Sequence, residues 1–113
     1  MKYDFESQVE VPARKPARRL RIAIDFDDTF TADPELWSEL IQRAIRRGHI
    51  FYCVTNRQNS EDSIDTINDA FDKGNCHMTI IFANEFGKLE TVERLGIKID
   101  IWIDDSPYSL TRS

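Results

Sequence analysis

The amino-acid sequence predicts an α/β domain of three layers, a short parallel sheet of about four strands packed between helices. Three observations predict it. Four short apolar runs, LRIAIDF, IFYCV, MTIIF and IDIWI, are rich in β-branched and aromatic residues and lack the polar alternation of a half-exposed sheet, as buried parallel strands do. The stretches between them carry apolar residues at helical spacing. Gly48, Gly74 and Gly96 fall just past those stretches, where a left-handed residue commonly ends a helix.

Residues 1–19 show little apolar periodicity, and VPARKPARR within them sets two prolines in a basic cluster, so they read as a mobile arm preceding a domain over 20–113. The first strand is LRIAIDF. Asp33 and Pro34 then supply an N-cap and a first-turn proline for a helix whose stripe is Leu36, Trp37, Leu40, Ile41, Ala44 and Ile45. After IFYCV, the residues Ile64, Ile67 and Phe71 repeat the pattern; after MTIIF, Leu89, Val92 and Leu95 do so again. Crossovers between parallel strands are right-handed, and ligands of such sheets bind outside the carboxyl ends of the strands.

At 113 residues the chain is expected to form one domain. No apolar run has the length needed to span a bilayer, and the start carries no export signal, so the expected compartment is the cytosol, with no membrane partner. Cys53 lies in an apolar run and Cys76 beside a glycine, which predicts two reduced thiols; no paired-cysteine spacing suggests zinc. The net charge of −5 argues against broad nucleic-acid affinity. The charge is uneven, because up to Arg21 six bases (Lys2, Arg14, Lys15, Arg18, Arg19, Arg21) face three acids (Asp4, Glu6, Glu10). The arm reads as a solvated tail, with a contact to phosphates or to a partner as the sharper alternative.

The residues beyond the strand ends form a coherent set. Asp25, Asp27 and Thr29 follow the first strand, Thr55, Asn56 and Arg57 the second, Asp104 and Asp105 the fourth, and Lys88 opens the third helix. Carboxylates gathered this closely repel one another unless a cation holds them. All the candidate ligands are oxygens, which suits Mg²⁺ better than zinc or copper, and magnesium typically combines one or two carboxylates with a substrate phosphate. A lysine and a hydroxyl beside such a metal suit phosphoryl transfer.

Over residues 20–107 the sequence resembles the haloacid dehalogenase-like (HAD) hydrolase superfamily. DFDDT matches the family's Asp-x-Asp-x-Thr motif after a strand, FYCVTN its strand ending in threonine, Lys88 of FGKLETVERLGI its lysine, and WIDDSP its acidic residues after a later strand. The resemblance implies a Rossmann-like core with strand order 3-2-1-4; the sequence departs from the commoner family pattern in leaving no room for a cap domain, since Thr29 passes quickly to the helix near Pro34 and Phe82 to Lys88. It implies Asp25 as the nucleophile on phosphorus, Asp27 as general acid/base, Thr55 as a phosphoryl-oxygen ligand and Lys88 as the charge between them. Asn56 and Arg57 join Thr55 and Lys88 as substrate-binding candidates. Metal ligation is implied for Asp25, the Asp27 backbone carbonyl and Asp104 or Asp105; Ile103 stands where glycine is common, and the two acids are adjacent, so both stay in the set. The implied activity is Mg²⁺-dependent phosphomonoester hydrolysis through an aspartyl-phosphate, on a small ester such as a nucleotide.

Plainer readings apply elsewhere. Asp28 and Asp33 suit a turn and a cap, His49 and His77 fall at the amino ends of strands, and Tyr52 and Trp102 are packing residues. Lys98 is an alternative to Lys88 at the wrong sheet edge. Trp37 and Arg57 lie nearer the crevice. The competing functions are a phosphatase acting on nucleic-acid ends or another macromolecule, a receiver domain, and a non-catalytic binding module. A receiver's acceptor aspartate should follow the third strand, and MTIIFANEF offers none. With no cap of its own, the site could be closed by substrate or by a second copy of the chain.

Overall fold

The computed structural model describes residues 15–110. It alternates β1 (Arg21–Ile24), α1 (Pro34–Arg46), β2 (Ile50–Thr55), α2 (Glu61–Gly74), β3 (Thr79–Phe82), α3 (Lys88–Arg94) and β4 (Ile101–Ile103), with short 3₁₀ turns at Phe30–Ala32 and Pro107–Leu110. The four strands form one all-parallel sheet in the order β3-β2-β1-β4. The strand runs and the helical stretches thus stand where their patterns place them. The arrangement is compatible with a Rossmann-like fold.

Side-chain alternation along β1 decides the layers. Ile22 and Ile24 join Ile41 of α1 and Ile67 and Phe71 of α2 in one core, whereas Ala23 joins Val54, Ile81 and Val92 of α3 in another. Helices α1 and α2 therefore cover one face and α3 the other, as right-handed crossovers to both sides of β1 require. Phe26, Phe30 and Phe71 lock the larger core near the carboxyl edge: Phe26 and Phe30 stack at 5.9 Å between centroids, and Phe71 meets them edge-on at 6.1 and 5.2 Å. The chain steps from β1 to β2 and β3 on one side and then crosses back to β4 on the other, so the crevice between the carboxyl ends of β1 and β4 is the topological switch point.

Asp33 caps α1 as the sequence predicts, and Ser60, which the sequence pattern did not single out, caps α2. The Asp33 carboxylate accepts from Leu36 N–H at 3.2 Å, and Ser60 caps α2 by accepting from Ser63 N–H at 3.1 Å. Three expectations need correction. Gly74 is the last residue of α2, and Asn75, at φ 51°, takes the left-handed position. Gly74 lacks a side chain for another reason, since a Cβ there would run into Ser38 of α1. The α1 stripe is also narrower than its periodicity suggests: Ile41 is buried and Trp37 and Ala44 pack on the core, but Leu36, Leu40 and Ile45 are exposed. In α3 only Lys88 and Val92 are buried, while Leu89 and Leu95 are exposed, because this seven-residue helix crosses its face of the sheet alone.

Of the arm, residues 1–14 lie outside the described residues. Arg18 within it meets Asp100 at 3.2 Å, and the second Asp100 oxygen accepts from Arg21 N–H at 2.8 Å, which ties the start of β1 to the residue before β4. His49 accepts from Leu20 N–H at 3.0 Å through Nδ1, a structural role. Cys53 and Cys76 are free thiols, both buried. Among the described residues no helix is long and apolar enough to cross a membrane.

Candidate functional site

The site grows out of the register between β1 and β4. Their last pair is Ile24 with Ile103, and the ladder continues one step, with Asp25 N–H donating to Ile103 O at 3.0 Å. Asp25 and Asp104 each stand one residue past that pair, in the alternation of Ala23 and Trp102, so adjacent strands deliver both to the α3 side. Gly87, at φ 89°, turns the chain into α3 in a conformation side chains rarely adopt, and Lys88 follows as the helix's first residue.

Lys88 completes the centre. Its Nζ lies 3.0 Å from Asp25 Oδ1 and 2.5 Å from Asp104 Oδ2, with side-chain exposures of 2%, 12% and 3% for Lys88, Asp25 and Asp104. A lysine buried this deeply is tolerated only with such partners. Burial pushes the Asp25 carboxyl above its ordinary range, Lys88 pulls it back, and the neighbouring Asp104 charge adds to the rise. Two backbone amides orient the pair: Phe26 N–H donates to Asp25 Oδ1 and Ser106 N–H to Asp104 Oδ1, each at 2.8 Å.

Asp105 is held separately. The Thr29 hydroxyl donates to its Oδ1 at 2.9 Å and accepts from its backbone N–H at 3.1 Å. Thr29, itself buried, thus fixes the acidic turn after β4, a role the sequence reading left unassigned although Thr29 ends the DFDDT match. One oxygen from each of Asp25, Asp104 and Asp105 falls within 4.8 Å of the others, so both adjacent acids belong to the same cluster. Three carboxylate oxygens and no nitrogen or sulfur donor fit a hard cation.

The carboxylate of Asp27 does not belong to that cluster. It lies in the turn after β1 and takes a bidentate clasp from Arg57, Nε to Oδ2 at 2.8 Å and Nη2 to Oδ1 at 2.9 Å. The guanidinium also covers the Phe26 ring, 5.4 Å from its centroid. The Asp27 carboxylate is thus paired with a guanidinium, apart from the three-aspartate cluster. Arg57, a substrate-binding candidate by its place after β2, holds Asp27 through two of its nitrogens and keeps part of its side chain exposed.

Thr55 ends β2, buried, with its Oγ1 accepting from Arg57 N–H at 3.2 Å and its carbonyl accepting from Ala83 N–H at 2.7 Å. Asn56 is exposed on the same turn. Asp28 holds φ 64° and donates its N–H to Thr31 Oγ1 at 2.9 Å, the turn role expected of it. Beneath the site, Cys53 is pushed up to about 12 by burial and by the Asp25 charge, so it stays a thiol at neutral pH.

The sequence-predicted residues thus fall into a buried Asp25–Lys88–Asp104 centre with Asp105 beside it, and an Asp27–Arg57 pair over the end of β2. No family model, no curated protein and no solved structure matches this chain, so the geometry of the crevice is what carries the functional reading.

Proposed function

We propose that the chain is a Mg²⁺-dependent phosphomonoester hydrolase of the HAD type, working through an aspartyl-phosphate on Asp25. The observation that carries the reading is the convergence of Asp25, Asp104 and Lys88 at the switch point of the sheet, beside the cluster-forming Asp105. Asp25, Asp104 and Asp105 would hold the cation, which supplies neutralisation of the phosphate's charge. In the first step an Asp25 oxygen attacks phosphorus, a new O–P bond forms, and the ester O–P bond breaks as the leaving oxygen takes a proton from Asp27, which must first exchange one of its two Arg57 hydrogen bonds for that proton. In the second, water attacks the same phosphorus while Asp27 receives its proton, and inorganic phosphate leaves with Asp25 restored. Lys88 balances the charge on Asp25 and the phosphoryl oxygens. The Thr55 hydroxyl, already accepting from Arg57 N–H, has its own proton to donate to a phosphoryl oxygen.

A panel of small phosphomonoesters assayed with Mg²⁺ tests the reading. Turnover lost on adding EDTA and lost in Asp25→Asn is the expected result; turnover of no ester, or turnover indifferent to both changes, would refute it.

A further inference from the structure

Beside the Asp27–Arg57 pair a groove of ≈ 770 Å³ runs between α1 and α2. Phe26, Thr31 and Arg57 form its end at the carboxyl edge of the sheet, and Arg57 is the residue bonded to Asp27. The groove therefore begins beside the residue that clasps Asp27, the group assigned above to protonate the leaving oxygen, although Asp27 itself does not line it. At the other end Gln42 Nε2 donates to Gly74 O at 2.5 Å, joining the two helices across the bottom. From Pro34 to Gln42 the wall is eight helical steps long, about 12 Å at 1.5 Å per residue. The volume lies within the range of about 300–1,000 Å³ typical of small-molecule sites.

The lining decides what fits. Pro34 and Ala70 give apolar surface, and Thr31, Gln42 and Thr66 give neutral hydrogen-bonding groups, while Phe26 and Ser38 are buried at its floor. The charges are Arg57 and Lys73 against Glu35, Glu39 and Asp69, and Arg57 is already neutralised by Asp27. A second phosphate or a nucleic-acid strand laid here would face carboxylates in excess, whereas an uncharged ring would bury apolar area and find polar groups for its edge.

We propose that this groove binds the leaving group of the substrate, and that the group is an uncharged, ring-bearing organic moiety of about nucleoside size. The inference rests on the phosphomonoesterase reading only for where the phosphate end sits. It narrows the substrate to the monophosphate of such a ring-bearing alcohol and sets macromolecular esters aside.

The test is amide NMR of the full chain with Mg²⁺, titrated in turn with inorganic phosphate, 1-naphthyl phosphate and a 5′-phosphorylated oligonucleotide. Inorganic phosphate should move the signals of 25–28, 55–57 and 88 alone. Naphthyl phosphate should move these and also Gln42, Thr66 and Ala70. Thr66→Trp and Glu39→Trp, at exposed positions on opposite walls, should each weaken naphthyl phosphate binding tenfold or more while leaving inorganic phosphate within twofold. Naphthyl phosphate that leaves the groove signals still, two blocking variants without effect on its affinity, or an oligonucleotide that moves the groove more strongly would each overturn the proposal. Groove shifts with naphthyl phosphate but none near Asp25 with phosphate would uphold the groove and count against the phosphatase reading instead.

Discussion

Replacing Lys88 with methionine keeps the side chain's length and apolar stem while removing the ammonium between Asp25 and Asp104. Because the three side chains are 2%, 12% and 3% exposed, water cannot take over the lost partner. Stripping one member from a buried ion pair costs about 3–5 kcal/mol. For 113 residues, at about 0.05–0.15 kcal/mol per residue, total stability is about 6–17 kcal/mol, so the loss is a large share. With an unfolding entropy of about 2.1 cal/mol/K per residue, the melting temperature should fall by about 13–21 °C. The sign of its pH dependence follows from Asp25, whose carboxyl is already raised by burial and would rise further without Lys88. Ionised Asp25 then costs stability, a cost absent when it is protonated and growing as pH rises through the raised pKa. Melts of Lys88→Met and the parent protein in EDTA should therefore converge toward pH 4 and diverge toward pH 8. Mg²⁺ should raise the variant's melting temperature more than the parent's, because a cation can enter the carboxylate cluster the ammonium has left. A fall under about 4 °C, or a deficit equal at pH 4 and pH 8, would refute the reasoning.

The remaining predictions concern individual groups. Asp25→Asn should melt above the parent at pH 7 in EDTA, with the gap closing as the solution is acidified, since a raised carboxyl pKa means the fold prefers the uncharged form; a lower melt at pH 7 would contradict that. Asp27→Asn should slow ester turnover by about 10²–10⁴-fold. Its unfolding free energy should change by at most about 1 kcal/mol, because the pair with Arg57 is partly exposed. Cys53, held at about 12, should resist iodoacetamide in the native protein at pH 8 and react fully in denaturant, as mass spectrometry of the labelled chain would show.

Much of the fold was legible because buried parallel strands announce themselves as unbroken apolar runs, and the cap Asp33 acts through local spacing. Leu36 and Leu40 mislead because periodicity reports which residues share a helix face, while burial depends on what lies opposite; Leu36 lies by Ile103 of the edge strand β4, with no strand paired beyond it among the described residues. Gly74 misleads similarly, since its spacing suits a left-handed turn but its need is the close approach of Ser38. The centre was legible from strand-end chemistry, because equal steps past paired strands must bring Asp25 and Asp104 together. The Asp27–Arg57 clasp and the hold of Thr29 on Asp105 were not, because each joins residues far apart in sequence through turns whose shape no local pattern encodes.

The most direct test of the account traps the covalent step. The full chain is mixed with Mg²⁺ and an activated phosphomonoester, quenched in acid within the first turnover, digested and read by mass spectrometry, with Asp27→Asn included to slow release of phosphate. The account predicts phosphate on the peptide containing Asp25, more of it in Asp27→Asn, and none in Asp25→Asn. Turnover with phosphate on another residue, or turnover that persists unchanged in Asp25→Asn, would contradict it.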